Sequence, residues 1–161
     1  LDMPPTRVVA LLNRFFDVVV NVVEDEGGLV DKFQGDAALC VFGTPVSSPD
    51  PAGDALRAAR RLAECLAEEV PELDFGIGVS AGIAVAGNVG AEHRFEYTVI
   101  GDPVNEAARL SELAKQKPGR VLASSAALER AGEAESEAWS VTDSAVLRGR
   151  GVATELARPR A

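Results

Sequence analysis

A chain of 161 residues, 47% apolar and 25% charged, is long enough to bury a core of its own. Its formal net charge of −9 argues against a nucleic-acid-binding face and means that any anionic ligand must be held by local cations against the overall field. One histidine and two cysteines are too few for a zinc site. No apolar run approaches the ~18 residues that span a bilayer, and no secretory leader pattern is present, so a cytoplasmic domain without direct membrane contact is expected.

In chain order, "PPTRVVALLNRFFDVVVNVVEDEGG" places Val8, Leu11, Leu12, Phe15, Val19, Val22 and Val23 at helical spacing, with Gly27 and Gly28 as the stop. Valine is a mediocre helix former, so packing must hold this helix. "KFQGDAALCVFG" then alternates about a Gly-Asp pair. It reads as a hairpin of Leu29 to Gln34 and Ala37 to Phe42, with Gly35 and Asp36 at its tip. After a polar, proline-rich loop, Asp50-Pro51 marks a cap and first turn. The helix it opens runs to about Glu69.

"LDFGIGVSAGIAVAGNVG" is strand-like, and its glycines imply bends or close backbone approach. Gly76-x-Gly78 is no dinucleotide fingerprint, because no helix start follows it. "FEYTVIG" is another strand. "DPVNEAARLSELAKQKPG" reads as a helix with Asp102 as N-cap and Gly119 near its stop. "RVLAS" is a short strand, "SAALERAG" a short helix, and residues from Trp139 to Pro159 a last hairpin turning at Gly149 to Gly151. The order α-β-β-α-β-β-α-β-α-β-β, with hairpins between helices, predicts an α+β layer fold on a mixed or antiparallel sheet.

Several residues could carry chemistry, each with a plainer alternative. Asp36 is a turn former or a functional carboxylate. Lys32, four residues earlier in an apolar strand, is a solvated edge charge or a cation aimed at a ligand. Asn105 and Arg109 share one face in the first two turns of their helix, where an amide and a guanidinium suit a phosphate; otherwise they are surface residues. Thr98 is a good strand former. Arg148 and Arg150 flank a glycine and could grip a polyphosphate or simply face solvent. His93 has no nucleophile pattern around it. Cys40 and Cys65 read as buried small hydrophobes in a reducing compartment.

Taken together, "LLNRFFDVVVNVVEDEGGLVDKFQGDAALCVFG", "GIGVSAGIAVAGNVG" and "YTVIGDPVNEAARL" resemble the catalytic domain of class III nucleotide cyclases, of the bacterial adenylyl cyclase type. The resemblance covers nearly the whole chain and makes residues 1–161 a single cyclase-like catalytic domain. It implies a ferredoxin-like (βαββαβ-type) mixed or antiparallel sheet, with helices on one face and a C-terminal hairpin. It implies conversion of ATP to 3′,5′-cAMP and pyrophosphate, assisted by two Mg²⁺ or Mn²⁺ ions, at sites shared across a head-to-tail homodimer. By position, Asp36 matches a metal ligand and Lys32 a residue that contacts the adenine edge. Thr98 stands where the partner of that lysine is usually Asp. Asn105 matches the residue that orients the ribose, Arg109 the one that stabilises charge on the α-phosphate, and Arg148 a basic residue on the terminal phosphates.

The family carries a second metal Asp on an upstream strand that is central to its sheet. "LDMPPTRVV" matches the helix after that strand, so the strand and its Asp are expected to be missing here, leaving two strand edges open. Asp2 has no strand before it and is not assigned that role. Two other readings remain. One is a non-catalytic cyclase-like module that dimerises or binds nucleotide. The other is a diguanylate-cyclase-like enzyme, which would carry paired acids where this chain has "QGDAA".

Overall fold

The computed structural model describes residues 3–161; Asp2 lies outside them. Helix α1 (Pro5–Asp25) leads into the hairpin β1 (Leu29–Gln34) and β2 (Ala37–Val41). Then come α2 (Pro51–Glu69), β3 (Ile77–Val79), β4 (Val85–Ala91), β5 (Arg94–Ile100) and α3 (Asp102–Ala114). A single 3-10 turn at Pro118–Arg120 precedes β6 (Val121–Ser124), α4 (Ser125–Arg130), α5 (Glu133–Ser136), β7 (Trp139–Ala145) and β8 (Thr154–Pro159).

The main sheet has the order β3-β6-β8-β7, parallel between β3 and β6 and antiparallel elsewhere. Two hairpins, β1–β2 and β4–β5, each pair only internally among the described residues. The expected α+β fold on a mixed sheet is therefore present, with an open edge on β3 and on the first hairpin. That hairpin is held by side-chain packing instead of a ladder. Leu11, Phe15, Val18, Val19, Val22 and Val23 of α1 form one apolar cluster with Leu62, Leu66 and Val70, and Val30, Cys40 and Phe42 pack against it. The valine-rich helix is thus stabilised by burial, as its weak propensity requires.

Three sequence expectations are corrected. The glycine-rich stretch read as one strand is two, β3 and β4, separated by residues 80–84, because β3 pairs with β6 while β4 pairs with β5. Asp102 is not an N-cap. Gly101 occupies that position without a side-chain cap, Asp102 is the first helical residue, and its carboxylate goes to Arg150 instead. The helix ends at Ala114, before Gly119, and α5 adds a turn that periodicity did not mark. Asp50 does cap α2, accepting from the Gly53 amide at 3.0 Å.

Glycine decides how α3 meets the sheet. A Cβ at Gly76 would meet the Ser111 carbonyl, and one at Gly78 the Ala107 carbonyl. Strand β3 can lie directly against the backbone of α3 only because both positions lack a side chain.

Candidate active site

The hairpin tip forms as its sequence suggests. Gln34 pairs with Ala37, Gly35 takes a positive φ of 62°, and Asp36 stands exposed in the two-residue turn. A bulge between Val30 and Lys32 places Asp31 outside the ladder. Beyond the bulge the alternation is regular, so Phe33 and Lys32 face opposite ways. The Phe33 ring lies on Phe16 of α1 with centroids 4.0 Å apart. Lys32 turns to β5, where its Nζ is 3.6 Å from Glu96 Oε1.

Glu96 and Thr98 are two apart on β5 and share a face. The Thr98 hydroxyl donates to the Glu96 carbonyl oxygen at 3.2 Å. Lys32 and Thr98, distant in sequence, therefore meet the same patch of β5. A second tie runs from the exit of the first hairpin, where the Thr44 and Tyr97 hydroxyls are 2.6 Å apart. Glu96 escaped sequence reasoning, although its two-residue offset from Thr98 was the available signal.

Strand β5 runs through Gly101 directly into α3, which carries Asn105, exposed, and Arg109, half-buried. Asp102, Glu106 and Arg109 recur at i, i+4 and i+7, which puts them along one stripe of α3. The turn of residues 147–151 sits on that stripe. Leu147 is buried with Leu110, Ala114, Leu122 and Leu156, and the Arg150 amide closes the turn onto the Leu147 carbonyl at 3.0 Å. Gly149 takes φ 82°, and a Cβ there would lie 3.2 Å from Arg109 Nη2. Arg148 projects exposed from this turn, next in sequence to the glycine that touches Arg109.

Arg150 does not share the exposure of Arg148. Its Nη2 pairs with Asp102 and lies 3.1 Å from Glu106 Oε2. Glu106 is 7% exposed and accepts from the Ser80 hydroxyl at 2.5 Å. Of the two arginines that could grip a polyphosphate, Arg148 is exposed and Arg150 is taken up by acids of its own chain. Ser80 and Glu106 were not singled out from sequence. An acid on the buried stripe of an otherwise amphipathic helix is the signal that marks Glu106.

Arg109 of α3 lies against Gly149, the neighbour of Arg148, Asn105 stands one turn before Arg109 on the same helix, and Lys32 reaches Glu96, two residues from Thr98 on β5. Asp36 stands at the hairpin tip. No group of three or more His, Cys, Asp or Glu side chains among the described residues could hold a metal ion. The hard oxygens of Asp36 suit Mg²⁺ or Mn²⁺, ions that bind through one or two carboxylates together with substrate phosphates. No described helix is long and apolar enough to cross a membrane.

Comparison with known proteins places the chain in a family. The profile of the adenylate and guanylate cyclase catalytic domain family matches residues 2–156. An uncharacterized protein of Mycobacterium tuberculosis is 56% identical over 156 residues, covering 97% of this chain and 28% of that protein. A second from the same organism is 55% identical over 158 residues, covering 98% and 30%. The chain thus spans under a third of the length of these relatives. Among solved structures, the guanylyl cyclase Cya2 superposes with a TM-score of 0.82 at 30% identity, over 96% of this chain and 81% of that one. The adenylyl cyclase CyaB from P. aeruginosa shares the fold, with a TM-score of 0.78 at 22% identity over 99% and 85%. The chain belongs to the adenylate and guanylate cyclase catalytic domain family.

Proposed function

We propose that this domain is an adenylyl cyclase, acting as one half of a homodimer on ATP. The observation that carries the reading is the packing of the 147–151 turn on α3, where Gly149 lies against the Arg109 guanidinium and the neighbouring Arg148 is exposed, so that two cations next to one another can meet an anion. In the reaction, the ribose 3′-hydroxyl gives up its proton to solvent as its oxygen attacks the α-phosphorus, the bond from that phosphorus to the bridging oxygen of the β-phosphate breaks, and pyrophosphate leaves with the bonding electrons. Asn105 orients the ribose by hydrogen bonding. Arg109 neutralises charge that grows on the α-phosphate oxygens, an interaction stronger in the transition state than in the ground state. Arg148 holds the terminal phosphates and so fixes the leaving group. A divalent ion held by Asp36 would supply Lewis-acid neutralisation at the phosphate oxygens.

Base choice rests on Lys32 and Thr98. A lysine donates only, which suits the acceptor nitrogens of an adenine edge. Thr98 offers one hydroxyl where a carboxylate would accept more firmly, so discrimination against GTP is looser than with a Lys and Asp pair.

The homodimer is supported by the β4–β5 hairpin. Val85, Val89 and Ile100 lie on the same face as Thr98 and Glu96, because Val85 opposes Ile100, Gly87 opposes Thr98 and Val89 opposes Glu96. All three are 57–73% exposed. These exposed apolar side chains, on the face that also carries Thr98 and Glu96, suit a second copy. In a head-to-tail pair, Asp36 of one copy would complete the site formed by Asn105 and Arg109 of the other.

The test is product formation by the full-length protein that contains this domain, with Mn²⁺ and either ATP or GTP. Expected are cAMP and pyrophosphate in equal amounts from ATP, with less product from GTP. Arg109→Ala should lower kcat by at least about a hundredfold. Nucleotide binding without product from the intact, dimeric protein would replace this reading with that of a non-catalytic nucleotide-binding module.

A further inference from the structure

The turn of residues 147–151 is pinned at two points. Leu147 is buried in the cluster under α3. Three residues on, Arg150 is held by Asp102 and Glu106. Arg148 lies between these anchors and is itself exposed. Gly149 brings the backbone onto the Arg109 guanidinium. Glu106 in turn is fixed by Ser80, which follows β3. One buried carboxylate therefore joins three parts of the chain: the segment after β3, helix α3 and the terminal turn.

We infer that Glu106 and Arg150 are positioning residues that lock the 147–151 turn onto α3 and so set Arg148 beside Arg109 for a nucleotide triphosphate. This rests on the proposed cyclase reading. The two arginines of the turn, alike in sequence, have divided labour. One is exposed to an anion, and the other is neutralised by acids from within the chain. The neutralisation matters because Arg148 and Arg150 flank the glycine that lies against Arg109, and a third free cation there would repel its neighbours in the absence of ligand. The Arg150 Nε is buried without a hydrogen-bond partner, so the guanidinium is held through Nη2 toward the two acids. A surface guanidinium recruited by a phosphate would instead keep its donors open to solvent. The contact needs a carboxylate at position 106 directed at Arg150. Glutamine can keep the Ser80 contact but not the ion pair.

The experiment is a double-mutant comparison in the full-length protein, with two readouts: KM and kcat for ATP, and competitive inhibition by inorganic pyrophosphate, which probes the terminal-phosphate subsite directly. Arg148→Ala should weaken pyrophosphate inhibition by about tenfold, the usual effect of losing one charged hydrogen bond. Arg150→Met and Glu106→Gln should each reproduce most of that loss, with KM raised more than kcat is lowered. Arg150→Met added to Arg148→Ala should cost little more, because both act through the same side chain. Arg150→Lys, which keeps a cation against the two acids, should fold as the parent does and recover part of the inhibition. It is the variant to use if Arg150→Met fails to fold. Losses from Arg148→Ala and Arg150→Met that simply multiply, or pyrophosphate inhibition untouched by the Arg150 variants, would overturn the positioning role alone. If Arg148→Ala changes neither readout, Arg148 is no phosphate ligand, and both the positioning role and that part of the cyclase reading fall together.

Discussion

At the scale of single residues, the proposed choice of base is tested most directly at position 98. Lys32 is only half-buried and its salt bridge to Glu96 is long, 3.6 Å, with Glu96 68% exposed. That pair adds little stability, and an entering base can displace it. Thr98→Asp places a carboxylate on the same face of β5 and gives the lysine a second, better oriented partner. The expected outcome is a rise of about tenfold in the ratio of kcat/KM for ATP over GTP, measured by product chromatography. Cys40 is a different case. It packs into the cluster between α1 and the first hairpin, and burial pushes its thiol up from 9.0 to about 12. At pH 8 it then carries roughly a thousandth of the thiolate of an unperturbed cysteine. Native protein should resist alkylation at Cys40 by iodoacetamide, and unfolded protein should react readily, as read by mass spectrometry. Folding holds the proton more tightly than the unfolded chain does. The contribution is therefore full below pH 9 and is lost as pH rises from 9 toward 12.

At the scale of elements, the contact between β3 and α3 sets where the site residues stand. Gly78 has the Ala107 carbonyl, the Ser111 amide at 2.5 Å and Leu110 Cβ at 2.8 Å around the place its Cβ would occupy. None of these backbone atoms can rotate away. Gly78→Ala must push α3 off the strand, an overpacking cost of about 3 kcal/mol, or about 10 °C in Tm for a chain of this size. Differential scanning calorimetry of the matched proteins reads it. Since α3 carries Asn105 and Arg109, activity should fall further than the loss of folded protein explains. The helix boundaries show what sequence spacing could and could not mark. Asp50-Pro51 announced α2 because cap and proline act locally. Asp102-Pro103 has the same form, yet the Asp102 carboxylate is drawn to Arg150, 48 residues away, and no local rule carries that information.

At the scale of the whole molecule, the proposed site has two halves, the Asp36 tip and the α3 residues Asn105 and Arg109, and Val85, Val89 and Ile100 of β4–β5 stand exposed. If a second copy brings the two halves together, Asp36→Ala and Arg109→Ala proteins, each inactive, should recover activity on mixing. Random pairing leaves one intact composite site in the half of the dimers that are mixed, so recovery should approach about a quarter of the parent rate if the two sites act independently. Demonstrated mixed dimers without recovery would contradict shared sites.

The amino-acid sequence by itself determined most of the elements and the family resemblance. Heptad-like spacing of Val and Leu, Gly35 at a turn, and the Asn105 and Arg109 interval are local patterns, set by backbone geometry over a few residues. They placed α1, α2 and the hairpin tip, while the ends of α3 and the short α5 depended on contacts outside the local pattern. The tertiary structure alone decided which of these residues meet. It split the glycine-rich strand between two sheets, set Glu96 beside Lys32, and took Arg150 out of solvent to bind Asp102 and Glu106 while leaving Arg148 free. Two arginines separated by one glycine look equivalent along a chain. They differ only because Leu147 is drawn into the core, which turns one guanidinium inward to a buried acid and the other out toward solvent.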